Sequence, residues 1–135
     1  MSVTELPHTA DIKVRIDSPT LETLFSEAAG TLMEVLYGDE RSEGITRNIT
    51  VESLDNESLL TDFLSEILFV SEVDGLVFST AEVHIEGTHL SAVLSGEGFN
   101  PEKHSGGTEI KGISYTGMSI MQHANGYMVD IVFDV

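Results

Sequence analysis

The sequence predicts an α+β fold, with two helices packed on a mostly antiparallel sheet in a single domain over residues 1–135. Three observations lead there. Apolar and polar residues alternate over 11–17, the period of a strand with one buried face. Two later segments carry apolar residues at helical spacing, each introduced by capping residues. The second half is a run of strand-like segments joined by short turns, and short turns connect antiparallel neighbours. A chain of 135 residues, 41% hydrophobic and 21% charged, suits one globular domain and argues against disorder.

The elements follow in order. In the first strand Ile12, Val14 and Ile16 face one way, and Asp11, Lys13, Arg15 and Asp17 the other. Ser18-Pro19-Thr20 then supplies helix-start chemistry. Leu21, Leu24, Phe25, Ala28, Leu32 and Val35 share one helical face. Gly30 interrupts that helix at a cost of about 1 kcal/mol against Ala, which close packing would explain. Residues 45–51 read as a strand. Asp55-Asn56 caps a second helix whose Leu60, Phe63, Leu64, Ile67 and Leu68 point inward, and Asp74-Gly75 ends it. Residues 76–85 and 89–95 form strands around Glu86-Gly87-Thr88. After a glycine-rich loop, 109–121 and 127–135 form another pair around Ala124-Asn125-Gly126.

Composition excludes several functions. The chain has no cysteine, which removes thiolate catalysis, disulfides and Cys-based zinc sites together. No targeting segment is visible, and the apolar stretch 59–73 is broken by Asp62 and Glu66, so a soluble cytoplasmic protein with no membrane span is expected. Six Lys and Arg against 23 Asp and Glu give a net charge of −17. Such a surface repels phosphates, so no tight direct binding of nucleic acid is expected; a basic protein or a cation is the more natural partner. Solubility alone also accounts for the charge.

Four places could carry chemistry. His8 and Asp11 in His8-Thr9-Ala10-Asp11 could bind a metal or act as acid and base, or serve as ordinary turn residues. The end Ile131-Val132-Phe133-Asp134-Val135 is strand-like, which would fix the Asp134 side chain beside the terminal carboxylate. Were Asp11 to come close, three carboxylates would converge and require a cation, a hard one such as Ca²⁺, Mg²⁺ or Mn²⁺. Otherwise Asp134 simply faces solvent. The segment 96–107 has no phosphate-binding pattern and reads by composition as a mobile surface loop. Lys111 follows it in Glu109-Ile110-Lys111-Gly112-Ile113, either held charged by nearby carboxylates or paired on the surface with Glu109. No G-x-S-x-G and no H-x-x-x-H spacing exists, and His84, His89 and His123 lie near hairpin turns.

Taken in order, these motifs resemble the archease family. The likeness rests on His8-Thr9-Ala10-Asp11, the 21–29 helix, Leu59-Leu60 through Glu66-Ile67-Leu68-Phe69, Gly96-Glu97, Lys103-His104, Glu109-Ile110-Lys111 and Val132-Phe133-Asp134-Val135. It implies an accessory protein, not a stand-alone enzyme, that activates an RtcB-type RNA ligase in tRNA splicing by promoting its guanylylation and multiple turnover. It implies metal ligands at Asp11, Asp134 and the Val135 carboxylate, an activating role for Lys111, and a divalent metal (Ca²⁺, Mn²⁺ or Mg²⁺) as cofactor. Two positions depart from the family pattern: Gly112 stands where Ala is usual, and Thr116 where His is usual. A chaperone-like modulator that binds a metal is the alternative. A free-standing metal-dependent hydrolase fits least, for want of a paired nucleophile and base.

Overall fold

The structure, a computed structural model, describes residues 2–6 and 11–135. In chain order the elements are β1 (Ser2–Leu6), β2 (Asp11–Ser18), α1 (Leu21–Tyr37), β3 (Ile45–Glu52), α2 (Asn56–Asp74), β4 (Leu76–Glu86), β5 (His89–Gly98), β6 (Gly112–Ile113), β7 (Ile120–His123) and β8 (Gly126–Asp134). The α+β class holds, and every strand pairing is antiparallel. The strands divide, however, into two sheets where one was expected. One sheet runs β1-β2-β8-β6, with β7 also on β8; the other runs β3-β5-β4.

Local sequence explains the elements. Thr20 caps α1: its hydroxyl accepts from the Thr23 N–H, and the Thr23 hydroxyl accepts in turn from the Thr20 N–H. Asp55 caps α2 by accepting from the Ser58 N–H at 2.8 Å, a bond that also holds its carboxyl below the usual aspartate range. Gly75 ends α2 in the left-handed conformation, with φ 63°. The inward faces read from the periodicity are buried, with Leu24, Phe25, Ala28, Leu32, Leu60, Phe63, Leu64, Ile67 and Leu68 all in the core. Phe25 and Phe63 stack across the two helices with ring centroids 6.0 Å apart. Both helices touch strands of both sheets, so one core serves all layers. Each fully buried Leu or Phe contributes roughly 1.5–3 kcal/mol to holding them together.

The outer edge of β4 is not left open. The Ser26 hydroxyl donates to the Ala81 carbonyl at 2.6 Å, and the Glu22 carboxylate accepts from the Ile85 N–H at 3.1 Å. Side chains of α1 thus occupy groups that would otherwise pair with another strand.

Three further expectations change. An alanine Cβ at Gly30 would meet nothing within 4 Å, so close packing does not account for that glycine. The strand expected over 109–121 is broken into β6 and β7 by a turn at 114–119, where the Met118 N–H bonds the Tyr115 carbonyl and Gly117 has φ 76°. The turn is held against α2, Tyr115 Oη lying 3.1 Å from Ser58 Oγ. Finally, β1 adds an edge strand beside β2 that the alternation of the sequence did not announce.

Candidate functional site

The register of β2 on β8 decides what lies at one end of the larger sheet. Asp11 is the cross-strand partner of Asp134, and the pairing continues through Ile12↔Phe133, Lys13↔Val132, Val14↔Ile131 and Arg15↔Asp130. Cross-strand partners project to the same face. The apolar set Ile12, Val14, Ile16, Val129, Ile131 and Phe133 takes the core face. The acidic pair therefore takes the outer one. A one-residue slip would put Asp134 against the core, so burial of Phe133 and Ile131 fixes the carboxylates as neighbours.

The third strand adds Lys111. Gly112 is the partner of Asp134 on its other side, and the Lys111 N–H donates to the Asp134 carbonyl at 2.7 Å. Asp11, Asp134 and the Lys111-Gly112 step thus stand in one row across β2, β8 and β6. Val135 follows Asp134 directly and is exposed. The Gly112 departure is sterically neutral: an alanine Cβ there would lie 3.8 Å from Asp134 Oδ2, an ordinary contact. Thr116 is exposed in the 114–119 turn. His8-Thr9-Ala10 lies outside the described residues, so only Asp11 of that motif is placed.

The segment leading to Lys111 is not the loosely held loop that composition suggested. Gly96 to Gly98 continue β5, and Gly96 needs its missing side chain because a Cβ would run into the Val77 and Phe78 backbone. His104 is 1% exposed. The Asn100 N–H donates to its Nδ1 at 2.9 Å, so a neutral ring carries its proton on Nε2, which donates to Glu97 Oε2 at 3.1 Å. Lys103 Nζ lies 2.8 Å from the same carboxylate, and the Ser42 N–H donates to it at 2.9 Å. The Lys103 hydrogen bond chiefly, then those of His104 and Ser42 working against desolvation, hold the Glu97 carboxyl below the ordinary 4.5. Beyond His104 the chain seals the end of α1. Gly107 lies against the Leu36 and Val35 backbone, with no room for a side chain, and the Thr108 N–H donates to the Val35 carbonyl at 2.7 Å. Ile110 then enters the core at 1% exposure, which delivers Lys111 to Asp134.

These residues fit a hard cation by donor chemistry. Two side-chain carboxylates share one face, an oxygen-only set. Among the described residues no group of three or more His, Cys, Asp or Glu side chains could hold a metal. Sequence reading missed the burial of His104.

Residues 4–135 match the Archease protein family (MTH1598/TM1083). The chain belongs to the archease family. An archease of Methanosarcina mazei is 38% identical over 136 residues, covering 96% of this chain and 93% of its own. The solution structure of Methanobacterium thermoautotrophicum protein 1598 superposes with a TM-score of 0.81 at 24% identity, covering 98% of each chain. The crystal structure of an archease from Thermotoga maritima, described as a possible chaperone, gives a TM-score of 0.66 at 20% identity, over 96% of this chain and 94% of that one. Among the described residues, no helix is long and apolar enough to cross a membrane.

Proposed function

We propose that this archease is a metal-binding accessory protein that activates an RtcB-type RNA ligase in tRNA splicing, promoting guanylylation and repeated turnover of the ligase. The observation that carries the reading is the row formed by Asp11, Asp134 and the Lys111 backbone across three strands. In this reading Asp11, Asp134 and the Val135 carboxylate hold a divalent cation, Ca²⁺, Mn²⁺ or Mg²⁺. Such an ion, when bound, supplies positive charge where phosphate oxygens gather. The chain's own residues do the rest. The β2–β8 register holds the carboxylates in place, and the tether from Gly107 through Ile110 brings the Lys111 backbone to Asp134. The acidic surface favours a basic protein partner over RNA, and the site docks at a basic nucleotide-binding mouth of the ligase.

The test is guanylylation of a matched ligase with GTP and Mn²⁺. Wild-type protein stimulates it. Lys111→Ala loses most of the stimulation while its melting temperature stays near wild type, because an exposed lysine contributes at most about 1 kcal/mol. Stimulation by Lys111→Ala equal to wild type would remove Lys111 from the site. A wild-type protein that stimulates nothing would put the second reading first, that of a chaperone-like modulator. That reading draws on Phe69 and Val73, large apolar side chains exposed on α2, and on the description of the Thermotoga relative.

A further inference from the structure

The smaller sheet treats its two edges differently. On β4 the Ser26 hydroxyl and the Glu22 carboxylate occupy outward-facing backbone groups. On β3 the register shows which groups face outward. Glu52 is the partner of His89, and the Ser53 N–H, one residue on, donates to the Thr88 carbonyl at 3.2 Å. Ser53 therefore turns its backbone towards β5. Alternate residues turn theirs to opposite edges, so Thr46, Asn48, Thr50 and Glu52 present N–H and C=O away from the sheet. Among the described residues only the Thr46 carbonyl is taken, by the Arg47 guanidinium at 2.9 Å. Residues 45–52 contain no proline, no lysine and no bulge against β5, devices that commonly protect an edge.

α2 supplies a wall beside that edge. It runs antiparallel to β3: Asp62 accepts from the Ser53 hydroxyl at 2.6 Å, and Asp74 accepts from Arg47 Nε at 3.2 Å. Helical spacing places Glu66, Val70 and Val73 between those two contacts, with Phe69 beside them. Phe69 and Val73 are exposed, and so are Asp62 and Glu66. The wall is thus acidic towards Asp62 and apolar towards Val73. The nearby cation, Arg47, is already paired with Asp74. We infer that β3 and α2 form a docking surface for an extended, basic segment of a partner protein, which adds a fourth strand to the smaller sheet. Its main chain bonds Asn48, Thr50 and Glu52. Its alternate side chains lie against α2, Lys or Arg by Asp62 and Glu66 and apolar residues by Phe69 and Val73. Charge decides the occupant. A second copy would bring another −17 to an acidic surface, whereas a cationic segment is drawn to it. The inference stands apart from the metal and ligase readings, since it uses neither Asp134 nor Lys111. It also asks for a defined strand, not the general apolar contact of a chaperone.

The probe is a peptide of 8 residues, the length of β3, with the sequence Thr-Lys-Thr-Lys-Thr-Val-Thr-Val. Laid antiparallel to β3 it runs with α2, bringing its lysines to Asp62 and Glu66 and its valines to Val73. NMR titration into the isotope-labelled full-length protein should shift the amides of Asn48, Thr50 and Glu52 saturably and slow their exchange with solvent. The same peptide with Glu in place of Lys should bind about tenfold more weakly or worse, and Glu66→Lys should weaken the basic peptide about as much. Asn48→Pro removes an N–H that the fold itself does not use, so it should keep the wild-type spectrum elsewhere and lose the peptide. Glu66→Lys, on an exposed helical face, carries the test if the proline disturbs the strand. No shift along β3 with the basic peptide at millimolar concentration overturns the inference. So does equal binding of the basic and acidic peptides, or wild-type affinity in Glu66→Lys or in a folded Asn48→Pro. Sedimentation of the protein alone should show no pairing through β3; a dimer that Asn48→Pro dissolves would overturn the basic partner and seat a second copy there.

Discussion

Two acidic regions of this molecule handle charge in opposite ways. Around Glu97 every group is answered: Lys103, His104 and the Ser42 N–H converge on one carboxylate, and His104 is buried in doing so. At the end of the larger sheet, two carboxylates, Asp11 and Asp134, are set opposite each other by register, and the Lys111 N–H bonds the Asp134 carbonyl. Like charges directly across a strand pair are destabilising. The first region spends its charge within the fold. The second sets like charges side by side. The two are joined by residues 99–111, so the Glu97 cluster is the anchor from which the Lys111–Asp134 end is held.

That contrast can be broken in several ways. The largest effect should come from Gly107→Ala. A Cβ there meets the Leu36 backbone, which cannot give way cheaply, so the loss should be about 3 kcal/mol and visible as a lower urea midpoint. Because Gly107 lies on the path to Lys111, ligase stimulation should fall as well. An unchanged midpoint would mean that the loop is not anchored there.

The Glu97 cluster has a pH signature. Its carboxyl is held below 4.5 in the folded chain, so the stability it contributes is present above the unfolded value and is lost as pH falls through the folded one. Wild type should lose stability in acid below about pH 4.5 more steeply than Glu97→Gln, whose side chain does not titrate. At neutral pH Glu97→Gln should melt lower than wild type, since Lys103 and His104 lose their charged acceptor. Parallel acid curves for the two proteins would show that Glu97 is not the anchor.

A smaller effect of opposite sign should follow Gly30→Ala. The site is helical and open, so the change should add about 0.5–1 kcal/mol, seen as a higher melting temperature. It touches neither region and leaves metal binding alone. A loss of stability would show that the position is constrained by something other than packing.

Much of this was legible in the sequence because the core speaks through period. The alternation at Ile12, Val14 and Ile16 and the helical spacing of Leu60, Phe63, Leu64 and Ile67 are consequences of which face is buried, and they survive in the structure. Caps were legible for the same local reason, as Thr20, Asp55 and Gly75 show. The division into two sheets was not, since β3, β4 and β5 carry no local sign of which strands they decline to pair with. Nor was the burial of His104, which depends on Glu97 arriving from β5 and the Asn100 backbone folding back. Lys111 reaches Asp134 through a tether of single contacts at Gly107, Thr108 and Ile110, and composition reads that stretch only as loop. The Asp11–Asp134 pair lay between these cases. Each residue could be singled out, but their meeting depends on a long-range register.

The central claim is that this meeting of carboxylates makes a cation site. Its most direct test is calorimetric titration of Ca²⁺ and Mn²⁺ into three proteins: wild type, Asp134→Asn, and wild type extended by a few residues after Val135. The claim predicts one saturable site in wild type. It predicts loss of that site in Asp134→Asn, which without metal should melt slightly higher, by less than about 1 kcal/mol, as the like-charge pair is relieved. It predicts loss in the extended protein too, because the terminal carboxylate is moved away. Equal affinity in all three would contradict it and leave Asp11 and Asp134 as neighbours without a ligand.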